Sequence, residues 1–120
     1  MSCKVTVRQA GPVSIMDLAG RITAGDGAIQ VRDAIQKAAK GGAKNIVVNL
    51  EGVAYLDSSG LGELVSAYTV LRNAGGQLKL MRVRSGVQQL LKITNLNAVF
   101  TCYEDEASAL QSFAPEAAEA

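Results

Sequence analysis

The sequence predicts an α/β fold in one domain, with a small mixed β-sheet of about four to five strands and about four helices. Two alternating stretches, residues 4–9 and 13–18, flank the turn residues Gly11-Pro12 and indicate an antiparallel hairpin. After Gly27, helical patterns alternate with short apolar runs, which is typical of a helix-covered sheet. The chain of 120 residues, 48% of them hydrophobic, is long enough to bury one core.

The first half of the chain follows this order closely. We expect Gly20 to end the second strand, and residues 24–27 to form a glycine-rich loop that leads into a helix. That helix has one apolar face, and Gly41-Gly42 closes it. The apolar run 46–50 is then expected to form a central strand. The apolar positions of the helix are Ala28, Val31, Ala34, Ile35, Ala38 and Ala39.

The second half continues the alternation. A long helix is expected to begin at 55–60 and to stop at Gly75-Gly76, and it is followed by a strand at 78–83 and a short helix around Val87–Leu91. We expect a last edge strand at 98–101 and a helix at 104–113. The predicted domain spans residues 1–114, and residues 115–120 are predicted to form a frayed tail.

Composition excludes several classes of function. The chain has no histidine, which removes Ser-His-Asp and Cys-His nucleophile systems and histidine zinc sites. A net charge of +1 and only five aromatic residues argue against a nucleic-acid interface. Cys3 and Cys102 are far apart and are expected to be reduced thiols. With no apolar run of membrane length and no signal-peptide pattern, we expect a cytoplasmic protein without a membrane partner.

One segment, residues 49–62, combines a buried strand, a loop and a helix start. Asp57, Ser58 and Ser59 stand there with Gly60 and Gly62, where free backbone N–H groups and the helix dipole favour an anion. The two glycines are expected to keep the surface small, so that a partner can approach closely. Plain helix capping is the alternative, because Asp and Ser are good N-cap residues. Serine catalysis is disfavoured, since no base is placed near Ser58.

The motif Asp57-Ser58-Ser59-Gly60-Leu61-Gly62, after the apolar strand 46–50, strongly resembles the signature of bacterial anti-sigma factor antagonists, the STAS domain family. The resemblance extends over nearly the whole chain. It includes residues 18–22 at the end of the second strand, 75–78 after the long helix, and the stretch Leu90-Leu91-x-x-Thr94-x-Leu96.

The resemblance implies a partner-switching regulator that is not an enzyme. The unmodified protein would bind an anti-sigma factor that is also a serine kinase, and a sigma factor would be released. Phosphorylation of Ser58 would weaken that binding, and a serine phosphatase would reset it. No cofactor, metal, nucleic acid or small-molecule substrate is implied. The implied partner-binding residues are Asp57, Ser58, Ser59, Gly60, Leu61, Gly62, Thr23 and Asp26.

The sequence departs from the family at Thr23, where many members carry an acidic residue. The nearest acid is Asp26, which is also a candidate helix cap. Leu56 is expected in the core, and the position of Tyr55 is left open. Lys79, Arg82, Arg84 and Lys92 form a loose basic group, which indicates either a contact for an acidic partner or simply a solvated strand end.

Two other classes of function remain alternatives. One is a STAS scaffold or accessory subunit of a larger signalling or transport assembly, whose association would ignore the state of Ser58. The other is a small enzyme that uses Ser58 as its nucleophile. The chain lacks the G-x-x-x-x-G-K-[ST] pattern of a phosphate-binding loop, and Gly60-Leu61-Gly62 alone is a weak nucleotide signal.

Overall fold

The computed structural model describes residues 3–113 and contains one five-stranded sheet with four α-helices. The strands lie in the order β1-β2-β3-β4-β5, so the sheet follows the order of the chain. The predicted α/β class and mixed sheet are confirmed. The elements are β1 (Cys3–Ala10), β2 (Val13–Ile22), α1 (Asp26–Lys40), β3 (Asn45–Leu56), α2 (Ser58–Asn73), β4 (Gln77–Met81), α3 (Ser85–Ile93), a 3₁₀ turn (Leu96–Ala98), β5 (Cys102–Tyr103) and α4 (Glu106–Gln111).

The strands differ in how far they run. β1 and β2 form the predicted antiparallel hairpin, and every other neighbouring pair is parallel. Pairing between β3 and β4 ends at Asn49 and Met81. Pairing between β2 and β3 continues as far as Ile22 and Leu56. The ends of β2 and β3 therefore extend beyond β4 as a two-stranded ribbon.

The sheet separates two apolar cores of unequal size. Helices α1, α2 and α3 cover one face, where Leu50, Leu64 and Leu71 are completely buried. The short helix α4 covers part of the other face, where its Ala109, and Phe113 just after the helix, belong to the same core cluster as Val47. Strand β3 contributes to both cores because successive strand side chains point to opposite faces. This burial confirms the prediction of a central, helix-covered strand at 46–50.

Strands β2 and β3 are both longer than predicted. Gly20 does not end β2, because the backbone passes through it with a φ of 107° and an irregular register and continues to Ile22. Strand β3 likewise continues beyond Leu50, where a loop was predicted. Val53 and Leu56 are buried against the end of β2. Tertiary burial therefore extends both strands past the positions where the sequence predicted them to end.

The predicted edge strand at 98–101 is wrong. Asn95 turns the chain with a φ of 64°, and the 3₁₀ turn that follows includes Ala98, the first residue of the predicted strand. Phe100 is buried and packs edge-to-face on Tyr68, with ring centroids 5.7 Å apart. The edge strand β5 follows at Cys102–Tyr103. The predicted helix at 104–113 is shorter, and it begins after Asp105, whose side chain accepts a hydrogen bond from the Ser108 backbone N–H at 2.7 Å.

The boundary at residue 114 stays a prediction, and the predicted frayed tail at 115–120 lies outside the described residues.

Candidate functional site at the start of helix α2

The starts of α1 and α2 lie together at the carboxyl ends of the neighbouring strands β2 and β3. The backbone N–H of Asp57 donates to the carbonyl of Ile22 at 3.2 Å, which joins the two strand ends directly. Both helices therefore begin next to each other, with their unpaired N–H groups at these strand ends. The predicted motif 57–62 lies here, and Thr23 and Asp26 lie on the neighbouring loop and helix start.

Asp57 is the N-cap of α2, so the helix-capping alternative holds for this residue. One carboxylate oxygen accepts a hydrogen bond from the Gly60 backbone N–H at 3.0 Å, and the other accepts one from the Ala24 backbone N–H at 3.2 Å. These bonds, chiefly the one from Gly60, lower the pKa of Asp57 below its usual range. The ionised carboxylate thus ties the loop after β2 to the first turn of α2.

Ser58 and Ser59 occupy the first turn of α2, and both are exposed. They lie within the helix and do not precede it, because Asp57 already serves as the cap. Within residues 3–113, neither hydroxyl has a side-chain hydrogen-bond partner. In the described part of the chain, the fold therefore presents two free hydroxyls at the positive end of a helix, and no basic side chain there is hydrogen-bonded to either one.

The two glycines of the motif play different roles. Gly60 is buried, and a Cβ built on it would lie 2.4 Å from the Ile22 carbonyl oxygen. Leu61 is also buried. Gly60 and Leu61, which were predicted to bind a partner, therefore lie between α2 and the sheet and present little surface to a partner. Only Gly62 is exposed with open space around it, so it alone fits the expectation of a surface kept small for an approaching partner.

The loop after β2 differs from its prediction in one respect. Asp26 does not cap α1. The N-cap is Gly25, with a φ of 94°, and no side chain bonds to the first turn. Asp26 is exposed in that first turn, where the helix dipole favours a carboxylate. Thr23 is half-buried, and its carbonyl accepts from the Ala28 N–H at 3.0 Å.

An ion pair that the sequence did not predict fixes the two helices beside the motif. Arg32 of α1 donates to both carboxylate oxygens of Glu63 in α2, with a shortest distance of 2.7 Å. The Glu63 side chain is only 14% exposed, so the pair is partly shielded from water. The two residues are far apart in sequence and carry no local signal. Only the parallel packing of α1 on α2 brings them together.

A groove of about 760 Å³ separates the end of β3 from α3. We call it the β3–α3 groove. Tyr55 is 48% exposed on its rim, with the Arg21 guanidinium 4.9 Å from its ring centroid, whereas Leu56 is buried as predicted. This groove was not predicted, because its two walls are far apart in sequence. It is lined by Val53, Ala54, Tyr55, Leu56, Asp57, Ser58, Arg84, Ser85, Gly86, Val87, Gln89, Leu90 and Ile93.

The loose basic group predicted near β4 is dispersed. Lys79 donates to the Ser112 hydroxyl at 2.8 Å, beneath α4. The Arg82 guanidinium Nη1 lies 3.6 Å from Glu51 Oε1. Arg84 lines the β3–α3 groove, and Lys92 lines a different cleft. These four residues therefore do not form one basic surface, and Arg84 is the only one of them that lies beside Ser58.

Residues 3–113 contain no cluster of three or more acidic or cysteine side chains that is arranged to hold a metal ion. In the same stretch of chain, no helix has the length and apolar character needed to cross a membrane.

Comparison with known proteins assigns the fold. Residues 4–109 match the family model of the STAS domain, and the chain belongs to that family. The chain is 30% identical over 82 residues to an anti-sigma F factor antagonist of Paenibacillus polymyxa, and the match covers 68% of each protein. It is also 38% identical over 55 residues to an anti-sigma-B factor antagonist of Staphylococcus aureus, and there it covers 46% of this chain and 51% of that relative.

Solved structures have the same architecture. A crystal structure of an anti-sigma factor antagonist from Mycobacterium paratuberculosis superposes with a TM-score of 0.84 at 22% identity, covering 92% of this chain and 93% of the other. The Bacillus cell fate determinant SpoIIAA in its phosphorylated form gives a TM-score of 0.73 at 20% identity, covering 91% and 98%. At these identities the likeness concerns the fold.

Proposed function

We propose that this protein is an anti-sigma factor antagonist that binds an anti-sigma factor with serine kinase activity through the surface at the start of α2. In the unphosphorylated state it frees a sigma factor, and phosphorylation of Ser58 weakens the complex until a phosphatase removes the phosphate. The observation that carries the proposal is the exposed, unpartnered Ser58 hydroxyl on a capped helix start. The names of the relatives support the antagonist role, and a protein in that role would act in the cytoplasm.

A kinase substrate of this kind needs no catalytic residues. The kinase supplies the base, the metal and the nucleotide, so its substrate has only to present a hydroxyl in a fixed position. Asp57, Gly60 and the Arg32–Glu63 pair hold the start of α2, which makes the position of Ser58 well defined. The absence of an activating base beside Ser58 therefore fits a substrate better than a serine enzyme.

The electrostatics of the site explain how phosphorylation would act. A phosphoserine adds about −1.5 to −2 charges at neutral pH. On Ser58 that charge lies next to the ionised Asp57, at a surface that the partner must cover. An unpaired charge buried at an interface costs several kcal/mol, and about 1.4 kcal/mol changes affinity tenfold. We therefore expect release of the partner by charge and bulk, without refolding of this protein.

The test is a pull-down from the native lysate with wild type, Ser58→Ala and Ser58→Asp as baits, followed by mass spectrometry. We expect wild type and Ser58→Ala to capture an ATP-binding serine kinase, and Ser58→Asp to lose it. Ser59→Asp is the matched control, because Ser59 is also exposed but does not line the β3–α3 groove. It should retain more binding than Ser58→Asp.

Recovery of one large assembly by all four baits would contradict the proposal and favour a scaffold role. A second measurement tests the absence of refolding. Backbone amide shifts of the protein with phosphoserine installed at position 58 should change only near the start of α2 and its neighbouring loops. Changes spread through the sheet would contradict release by surface charge alone.

A further inference from the structure

The β3–α3 groove has a strand edge as one of its walls. Pairing with β4 stops at Asn49, but β3 itself continues to Leu56. The chain turns away from β3 after Met81, where Arg82 takes a left-handed conformation with a φ of 54° while its N–H donates to the Tyr103 carbonyl of β5 at 2.8 Å. Within residues 3–113, no backbone hydrogen bond joins the end of β3 to residues 82–93. The side of β3 that faces the groove is therefore an unpaired strand edge, which is a template for another strand.

The groove combines this edge with apolar surface. Val53 and Val87 are buried at its floor, while Tyr55 is 48% exposed and Ile93 is 82% exposed at its rim. An exposed aromatic and an exposed β-branched residue on either side of a strand edge are typical of a binding groove. Added strands obtain affinity from main-chain hydrogen bonds and specificity from pockets for alternate side chains.

The charge of the groove determines what kind of segment fits it. Arg84 lines the groove at the start of α3, and it has no ion-pair partner among the described residues. The Arg21 guanidinium, which is 4.9 Å from the Tyr55 ring centroid, adds a second cation beside a residue that lines the groove. A segment that brings a carboxylate to this rim gains charge-assisted hydrogen bonds. Among the described residues, Asp57 is the one carboxylate that lines the groove, and its oxygens are already engaged by backbone N–H groups.

We propose that the β3–α3 groove binds an extended segment of a protein partner, with alternating apolar side chains and at least one acidic residue, as an added strand on β3. The segment pairs with the backbone of residues 53–56, places apolar side chains between Tyr55 and Ile93, and presents its carboxylate to Arg84. Since Ser58 lines the same groove, a phosphate there repels the acidic segment and competes for Arg84. That last consequence alone rests on the proposed function.

The experiment selects ligands without assuming a partner. A displayed library of random peptides of about ten residues, the upper length of a common strand, is selected on the immobilised full chain. Enriched peptides are synthesised and titrated into isotope-labelled protein. We expect them to alternate apolar and acidic residues, to shift the amides of residues 53–56 and α3, and to slow hydrogen exchange in β3. Backbone N-methylation of the peptide should abolish binding, because it removes the strand hydrogen bonds.

Two neighbouring glutamines of α3 provide a matched pair of variants. Gln89 lines the β3–α3 groove, whereas Gln88 lines a different cleft. We expect Gln89→Trp to block the peptide and Gln88→Trp to leave binding unchanged. Arg84→Gln should weaken binding about tenfold, which is the scale of one charged hydrogen bond. Failure to enrich any peptide, equal blocking by both tryptophans, or binding that survives N-methylation would overturn the proposal.

The outcomes separate this inference from the proposed function. Peptide binding in the groove together with a failed kinase pull-down would support the docking site and contradict the antagonist role. A successful pull-down without any groove-bound peptide would do the reverse. Ser58→Asp should reduce peptide affinity more than Ser59→Asp does, and equal effects of the two would remove the proposed link between Ser58 and the groove.

Discussion

The two glycines of the Asp57–Gly62 motif should respond in opposite ways to the same substitution. In Gly60→Ala the new methyl group would lie 2.4 Å from the Ile22 carbonyl oxygen, 2.6 Å from Leu56 Cδ1 and 2.7 Å from Ile22 Cγ2. The Leu56 methyl can move, but the Ile22 carbonyl belongs to the strand backbone. Overpacking of this kind typically costs about 1–3 kcal/mol. We expect Gly60→Ala to lower the free energy of unfolding by roughly that amount.

Gly62→Ala is the matched control. A Cβ at Gly62 meets nothing within 4 Å, and the residue lies within α2. Replacing an exposed helical glycine by alanine usually stabilises by about 0.5–1 kcal/mol. The two variants should therefore differ by roughly 1.5–4 kcal/mol in unfolding free energy. Because both replace a glycine of the same motif by alanine, this difference reports the packing around each position.

Urea and thermal unfolding followed by far-UV circular dichroism suit this chain, which has no tryptophan for fluorescence. For a domain of this size, about 2 kcal/mol corresponds to a drop in Tm of roughly 5–10 °C. Gly60→Ala should melt clearly below wild type, and Gly62→Ala at or slightly above it. If Gly60→Ala were as stable as wild type, the close approach of α2 to the end of β2 would be wrong.

Three further predictions concern the cap, the core and the thiols. The pKa of Asp57 lies below its ordinary value of 3.8, so the stability that its charge provides is complete above pH 3.8 and is lost as pH falls through the folded pKa. The free energies of unfolding of wild type and Asp57→Asn, measured against pH, should therefore differ at pH 7 and converge in acid. Leu91→Ala should cost about 2–5 kcal/mol and Ile93→Ala almost nothing in urea unfolding, since Leu91 is 2% exposed and Ile93 82%; equal losses would contradict the orientation of α3. Partial desolvation raises the pKa of both thiols, so accessibility decides which one reacts: Cys3 is buried and Cys102 is exposed at the surface. A thiol reagent should therefore modify Cys102 first in native protein, and equal rates would refute the placement of Cys3.

The parts of the fold that could be predicted from sequence are those with a local signal. The hairpin around Gly11-Pro12, the cap at Asp57 and the amphipathic face of α1 each follow from residues close together in the chain. The errors have a common cause. Gly20 and residues 51–56 suggest a strand end and a loop, but burial of Ile22 and Leu56 against each other extends both strands. Local propensity cannot anticipate such pairing.

The candidate site divides in the same way. Its motif is visible in the sequence because six consecutive residues carry it, and residue type limits the candidate N-caps to Asp57, Ser58 and Ser59. Its second wall was missed, because Arg84 and Ile93 approach Ser58 only through the crossover from β4 to α3. The ion pair between Arg32 and Glu63 was missed for the same reason. Long-range contacts of this kind have no signature in one sequence.

The length of the β2–β3 ribbon connects these features. Because β4 stops at Met81, the ends of β2 and β3 extend beyond the rest of the sheet, and α2 begins at the end of this extension. Gly60 allows α2 to pack closely on this ribbon, and Asp57 fastens the adjoining loop to it. The same overhang leaves one side of β3 unpaired beside Ser58. A single difference in strand length thus places an exposed serine beside an unpaired strand edge, which is the arrangement that the proposed control of groove binding by Ser58 phosphorylation requires.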